Sequence, residues 1–149
     1  MFRKTIYSDI VTIDCPKERV WQVLLDLENY PKWNPFTNPV ISTLEIGAPV
    51  ELHVHMPVRG DRVSTEIVLC KDSNESLSWG MTMLHPIFLK ARRDQKLIAL
   101  DSKRCTYQTW DAFSGCLTPL VVGLFGEDMQ NGFNGVARSL KAFCEEHPE

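Results

Sequence analysis

No stretch of this chain approaches the roughly 20 apolar residues needed to cross a bilayer, so no membrane span is expected. The start, Met1-Phe2-Arg3-Lys4 followed by Thr5-Ile6-Tyr7-Ser8-Asp9-Ile10, interrupts its apolar residues with polar ones where an export signal needs a continuous core. Basic excess is missing as well. With 16 Lys+Arg against 19 Asp+Glu, a net charge of −3, little is left to neutralise a phosphate backbone, and nucleic acid is not an expected partner. The five cysteines form no CxxC pair and fall at no metal-ligand spacing, so reduced thiols in a cytoplasmic protein are expected, with no metal and no cofactor. Catalytic triads, phosphate loops, internal repeats and low-complexity linkers are also lacking. What remains is a chain of 149 residues, one domain over residues 1–149. That length buries roughly two thirds of its unfolded surface and leaves room for a pocket.

What the chain does have is an unusual amount of aromatic surface in one short turn. Val20, Trp21, Leu24, Leu25 and Leu27 recur mostly at three- and four-residue spacing, a helical face that should pack on a sheet. Asp14 or Cys15 can cap the helix that Pro16 opens, because a proline at the first helical position loses only an amide that has no helical partner. Pro31 and Pro35 end the helical stretch and stiffen the turn that carries Tyr30, Trp33 and Phe36. Trp33 and Phe36 are therefore placed either at the entrance of a cavity or as a plug for one end of a sheet.

Residues 5–13 read as a strand. The period changes to two after about Thr37: residues 40–46, 50–56, 63–71, 77–84, 88–100 and 105–113 form six successive runs separated by turn signals such as Gly47-Ala48-Pro49 and Asp72-Ser73-Asn74-Glu75. Such spacing predicts an antiparallel meander. Residues 119–146 return to helical periodicity through Leu120, Leu124, Phe125, Met129, Phe133, Val136, Ala137, Leu140 and Phe143. Gly123, Gly126, Gly132 and Gly135 lie inside this helix, each roughly 1 kcal/mol worse than alanine. They fit a frayed first turn and close approach to the sheet, or room made for a ligand. The fold class is α+β: a curved antiparallel sheet of about seven strands, in the order β-α-α-β6-α. The sheet wraps around the last helix, the only element long enough to cover its apolar face.

The order of elements, the Val20-Trp21-Gln22-Val23-Leu24 helix, the Tyr30-Pro31-Lys32-Trp33-Asn34-Pro35 turn, Leu77-Ser78-Trp79 in mid-sheet and Phe113-Ser114-Gly115 before the last helix together resemble the START-like (SRPBCC) superfamily. Within it the chain is similar, over nearly its full length, to the polyketide cyclase/dehydrase and lipid-transport branch, which includes birch pollen allergen-like proteins. The resemblance implies a helix-grip fold with a deep cavity between sheet and C-terminal helix, and the region of Trp33 at its entrance. It does not imply one activity, since the superfamily uses this scaffold for lipid carriage, hormone binding, cochaperone work and ring cyclisation.

Strand alternation offers the cavity wall independently of that resemblance. Leu52, Val54 and Met56 share one face; so do Val63, Thr65, Ile67 and Leu69, and so do Leu77, Trp79, Met81 and Met83. Met81 and Met83 beside Trp79 would make an adaptable, polarisable wall; the plainer reading is core filling. Phe125, Met129 and Phe133 form the facing stripe of the last helix. His53 and His55 are spaced to share a metal, yet they lie on the face of Glu51, opposite Leu52, Val54 and Met56, and so point to solvent. Tyr107, Thr109, Asp111 and Phe113 share a face that gives a partly polar lining, although Asp111 reads first as a surface cross-strand ion pair with Arg92.

The expected partner is a hydrophobic small molecule, a lipid or an aromatic, polyketide-like metabolite, bound in a largely preformed cavity without catalysis. The rival is a polyketide cyclase or dehydratase, which needs polar groups in the cavity to polarise a carbonyl and move a proton; Arg92, Arg93, Asp94, Tyr107, Thr109 and Asp111 are the polar groups that the last two strands offer. A protein-interaction module with a closed interior is the third reading. Oligomeric state is left open by the sequence.

Overall fold

The computed structural model describes residues 2–149. In chain order these form β1 (Arg3–Tyr7), β2 (Val11–Ile13), α1 (Lys17–Leu25), a 3-10 helix (Leu27–Lys32), β3 (Thr37–Ile41), β4 (Pro49–Met56), β5 (Gly60–Asp72), β6 (Ser76–Met83), β7 (Leu89–Ala99), β8 (Cys105–Ser114) and α2 (Thr118–Glu146). The strands make one 8-stranded sheet in the order β1-β8-β7-β6-β5-β4-β3, with β2 also paired to β8. From β3 to β8 it is the expected antiparallel meander, and α2 covers its concave face. Among the described residues no helix is long and apolar enough to cross a membrane.

The strand expected over residues 5–13 is broken in two. At the break the Ser8 amide donates to the Thr109 carbonyl at 2.8 Å, and the Thr109 amide donates to the Ser8 hydroxyl at 3.1 Å. The chain thus stays on β8 while its regular pairing is interrupted. The helix α1 also starts differently from the expectation. Pro16 is its cap rather than its first residue, and neither Asp14 nor Cys15 supplies a side-chain cap. Instead the Asp14 amide donates to the Glu145 carboxylate at 2.8 Å, fastening this corner to the end of α2.

Val20, Trp21, Val23 and Leu24 form the buried face of α1. The Tyr30 hydroxyl donates to the Leu24 carbonyl at 2.6 Å, satisfying an acceptor that the helix end leaves free. Asn34 then shapes the turn, its Oδ1 accepting from the amides of Phe36 at 3.1 Å and Thr37 at 2.8 Å. This side chain starts β3 at Thr37, earlier than apolar periodicity suggested.

The 29-residue α2 is about 43 Å long at the usual helical rise, and its two halves meet different surroundings. Phe133, Val136, Ala137, Leu140 and Cys144 join the same core as Ile13, Val20, Leu24, Leu97 and Cys105. The five cysteines are all unpaired. Burial pushes the Cys105 thiol up to about 11 and Cys144 up to about 12, so both stay protonated and unreactive. Gly132 is present because the Phe36 ring lies against the helix there; a Cβ would sit 2.2 Å from it. That glycine therefore serves close approach to an aromatic side chain of the turn, neither a frayed end nor a space for a ligand.

Candidate functional site

Between the concave face of the sheet and the first half of α2 lies a cavity of about 300 Å³. Strong curvature separates the middle strands from the helix here, and the side chains that reach inward are largely apolar. Phe36, Leu52, Val54, Trp79, Met81, Met83, Met129 and Phe133 all line it, together with Met56, Phe113 and Phe125. Of the lining residues, Arg62, Val63 and Met83 are exposed, so the cavity opens where the β4–β5 hairpin and the end of β6 face α2. Asp128 fastens the hairpin over this opening. Its buried carboxylate accepts from the amides of Val58 at 3.2 Å and Arg59 at 3.0 Å, and Arg59 Nε donates to the Leu124 carbonyl at 3.0 Å. Arg62 completes the contact by lying 4.3 Å from the centroid of the Phe125 ring.

Several residues expected at the cavity lie elsewhere: Thr65, Ile67 and Leu69 on the outer face, Leu77 and Thr109 buried away from it, and Trp33 and Tyr107. Ile67 is on the outer face of the sheet, 42% exposed. The reason is hairpin register: Met56 pairs with Gly60, Val54 with Arg62, Leu52 with Ser64 and Val50 with Glu66. Directly paired residues share a face, so β5 turns Arg62, Ser64 and Glu66 inward and Thr65, Ile67 and Leu69 outward. Trp33 is not at the entrance. It is buried beside Tyr30, ring centroids 4.9 Å apart and edge-on, because the 3-10 turn closes through the Trp33 amide on the Tyr30 carbonyl at 3.1 Å and brings the two rings together; only Phe36 from this turn reaches the cavity. Tyr107 shares the inward face of β8 but lies beyond the cavity floor. Its hydroxyl donates to Gln95 Oε1 at 2.6 Å, and burial pushes its phenol up to about 12.

Asp111 does line the cavity, and its expected surface pairing with Arg92 is not made. Arg92 points outward and pairs with Asp94 at 3.1 Å. The residue opposite Asp111 across the β7–β8 ladder is Arg93, buried on the inner face. Arg93 donates from Nε to the Thr109 hydroxyl at 2.6 Å, and its guanidinium carbon lies 4.3 Å from the centre of the Phe133 ring. Glu66 enters from β5. Among the described residues, Glu66 Oε1 and Asp111 Oδ1 are buried without a hydrogen-bond partner.

Burial raises both acids. Glu66 is pushed up to about 7 by desolvation and then by the charge of Asp111, against the pull of Arg93 and the Ser64 hydroxyl. Asp111 is likewise pushed up to about 7 by desolvation, which Arg93 opposes and Asp94 reinforces. Two carboxyls that titrate near neutrality beside one guanidinium can hold a proton or release it at little cost. His53 and His55 stand apart from this chemistry. They lie on the outer face, His53 3.0 Å from Glu51 and His55 3.1 Å from Asp61.

Glu66 was not among the residues that sequence reasoning singled out, and Arg93 entered only as one of the polar groups that the last two strands offer. Arg93 had a signal: Leu89, Ala91 and Leu97 occupy alternate positions of one strand, and Arg93 and Gln95 continue their face. Glu66 had one too, in the length of the turn between β4 and β5, since three residues between Met56 and Gly60 pair even-numbered positions with even-numbered ones.

The model of a family described as polyketide cyclase / dehydrase and lipid transport matches residues 4–144. Similar solved structures include norcoclaurine synthase from Thalictrum flavum in complex with dopamine and hydroxybenzaldehyde, with a TM-score of 0.73 and 11% identity over 99% of this chain and 90% of that one. The Zhui aromatase/cyclase from Streptomyces sp. R1128 has a TM-score of 0.64 and 19% identity over 92% of this chain and 94% of its own. A START superfamily protein from Mycobacterium smegmatis has a TM-score of 0.62 and 16% identity, covering 91% and 98%. At such identities the likeness is one of fold. No curated protein sequence matches the chain.

Proposed function

Because the chain belongs to the polyketide cyclase / dehydrase and lipid transport family, we propose that it binds a hydrophobic small molecule of aromatic character in the cavity beneath α2 and carries or senses it without changing it. The observation that carries this reading is the wall itself. Phe36, Trp79, Phe113, Phe125 and Phe133 alternate with Met56, Met81, Met83 and Met129 around about 300 Å³. Aromatic rings and thioethers suit a flat, polarisable guest. The volume is at the small end of the range for ligand pockets, the size of a molecule with a few rings rather than a two-chain lipid. That two solved structures of the same fold are an aromatase/cyclase and a synthase holding dopamine and hydroxybenzaldehyde supports the aromatic class.

A second reading, a cyclase or dehydratase acting on a polyketide-like substrate, draws support from Glu66, Arg93 and Asp111 at the inner end. Carboxyls that titrate near neutrality are suited to proton transfer. Native mass spectrometry of protein purified from its own host decides between the two. One aromatic molecule per chain, released unchanged after incubation, is the expected result. Ala91→Phe, which fills the cavity from β7, should weaken its rebinding at least tenfold. Turnover of a candidate polyketide that Asp111→Asn abolishes would replace the carrier reading with the enzyme.

A further inference from the structure

Opposite charges in direct cross-strand register ordinarily pair. Arg93 and Asp111 occupy such a register on β7 and β8, both facing the cavity, and among the described residues no ion pair joins them. The Arg93 side chain is drawn away by two contacts, Nε on the Thr109 hydroxyl at 2.6 Å and the guanidinium over Phe133. Asp111 Oδ1 and, across the curved sheet, Glu66 Oε1 are left buried with no protein donor. A buried polar atom without a partner costs about 1–3 kcal/mol, and native proteins keep few of them. Here two acceptors and an unpaired cation border one end of one cavity.

The chemistry of a guest that satisfies this end is restricted. An ammonium would suit the carboxyls and be opposed by Arg93; a carboxylate would suit Arg93 and be opposed by Glu66 and Asp111. An ether oxygen can only accept. A hydroxyl both accepts and donates through one atom without bringing charge. We infer that Arg93, Asp111 and Glu66 form a receptor for a hydroxyl borne on an aromatic ring, its oxygen accepting from the guanidinium and its hydrogen donated to a carboxyl. The ring lies between Trp79, Phe113 and Phe133. This rests on the reading of the cavity as a binding site for an aromatic molecule and names the group by which that molecule is recognised.

Naphthalene, its methoxy derivative, naphthol and naphthylmethylamine are the probes, titrated into the wild-type protein and followed by calorimetry. Naphthol should bind at least tenfold more tightly than methoxynaphthalene, because a site built for a hydroxyl penalises its loss. Asp111→Ala should reduce that preference below threefold, and its circular dichroism spectrum and cooperative thermal melt report that the variant is folded. Glu66→Gln provides a second, more conservative variant and should reduce the preference in part. Equal affinity for naphthol and methoxynaphthalene on the wild type overturns the receptor and leaves the apolar cavity standing. Tightest binding by the amine overturns it in favour of a cation site. If none of the probes binds, the aromatic-cavity reading fails and takes this inference with it.

Discussion

Asp111 and Glu66 link the protein's stability to pH in a direction opposite to that of most carboxylates. Their folded-state values lie near 7, above the ordinary carboxyl values of 3.8 and 4.5. Between roughly pH 4 and 7 the folded chain therefore holds more protons than the unfolded one, and stability falls as pH rises through that window. The charges facing the pair are Arg93 and Asp94 from β7, together with the other acid of the pair. Asp101 and Glu145, which their partners hold below the usual range, act at lower pH with the opposite sign. His55 is raised by its hydrogen bonds to Asn38 and Asp61, so it adds a same-sign loss above its ordinary 6.5. Comparison with a variant isolates the pair. Asp111→Asn should stabilise the protein by about 1 kcal/mol at pH 8, a value discounted because the titrations of the two acids are coupled through their charges, and should flatten the fall between pH 5 and 7. Urea melts at the two pH values measure both effects. A wild-type stability that rises over this interval would contradict the assignment.

At the scale of elements, the contact between Phe36 and Gly132 decides how the turn seats on the helix. A methyl group at position 132 would meet the ring at 2.2 Å, and overpacking of this kind costs about 1–3 kcal/mol. Gly132→Ala should lower the thermal midpoint accordingly, even though alanine is the better helix former. Phe36→Leu in the same chain should return part of the loss, so the two effects should not add. The elements themselves were legible from periodicity: the six strands of the meander and the long final helix fall close to their expected places. Face assignment was legible only in part. Along β6 and β8 simple alternation placed Trp79, Met81 and Asp111 on the cavity side. Along β5 the apolar series Val63, Ile67 and Leu69 imitates an inner face, and a strand's own pattern cannot reveal that its hairpin partner turns the polar series inward. The break at Ser8 depends on hydrogen bonds to Thr109, far away in sequence, and the inward position of Trp33 on its edge-on packing against Tyr30, which periodicity does not report.

For the molecule as a whole, α2 divides the interior into a closed half and an open half. Beyond Phe133 the helix is buried in continuous core, and before it the same helix is one wall of a cavity. Apart from Arg62 over the Phe125 ring, the hairpin is clasped to α2 by the two backbone amides of Val58 and Arg59 on Asp128 and the Arg59 bond to Leu124. None of these groups of the clasp itself lines the cavity. Asp128→Ala should therefore raise the association and dissociation rates of an aromatic probe together, by about tenfold if the clasp contributes roughly 1.4 kcal/mol to the opening barrier. Its equilibrium affinity should stay within about threefold. Stopped-flow fluorescence with Trp79 as reporter separates the two. The residence time of a guest is on this view a property of the hairpin, set independently of what the guest is. Selectivity belongs to the far end of the cavity, so the protein could be tuned to release its cargo faster without changing which cargo it chooses.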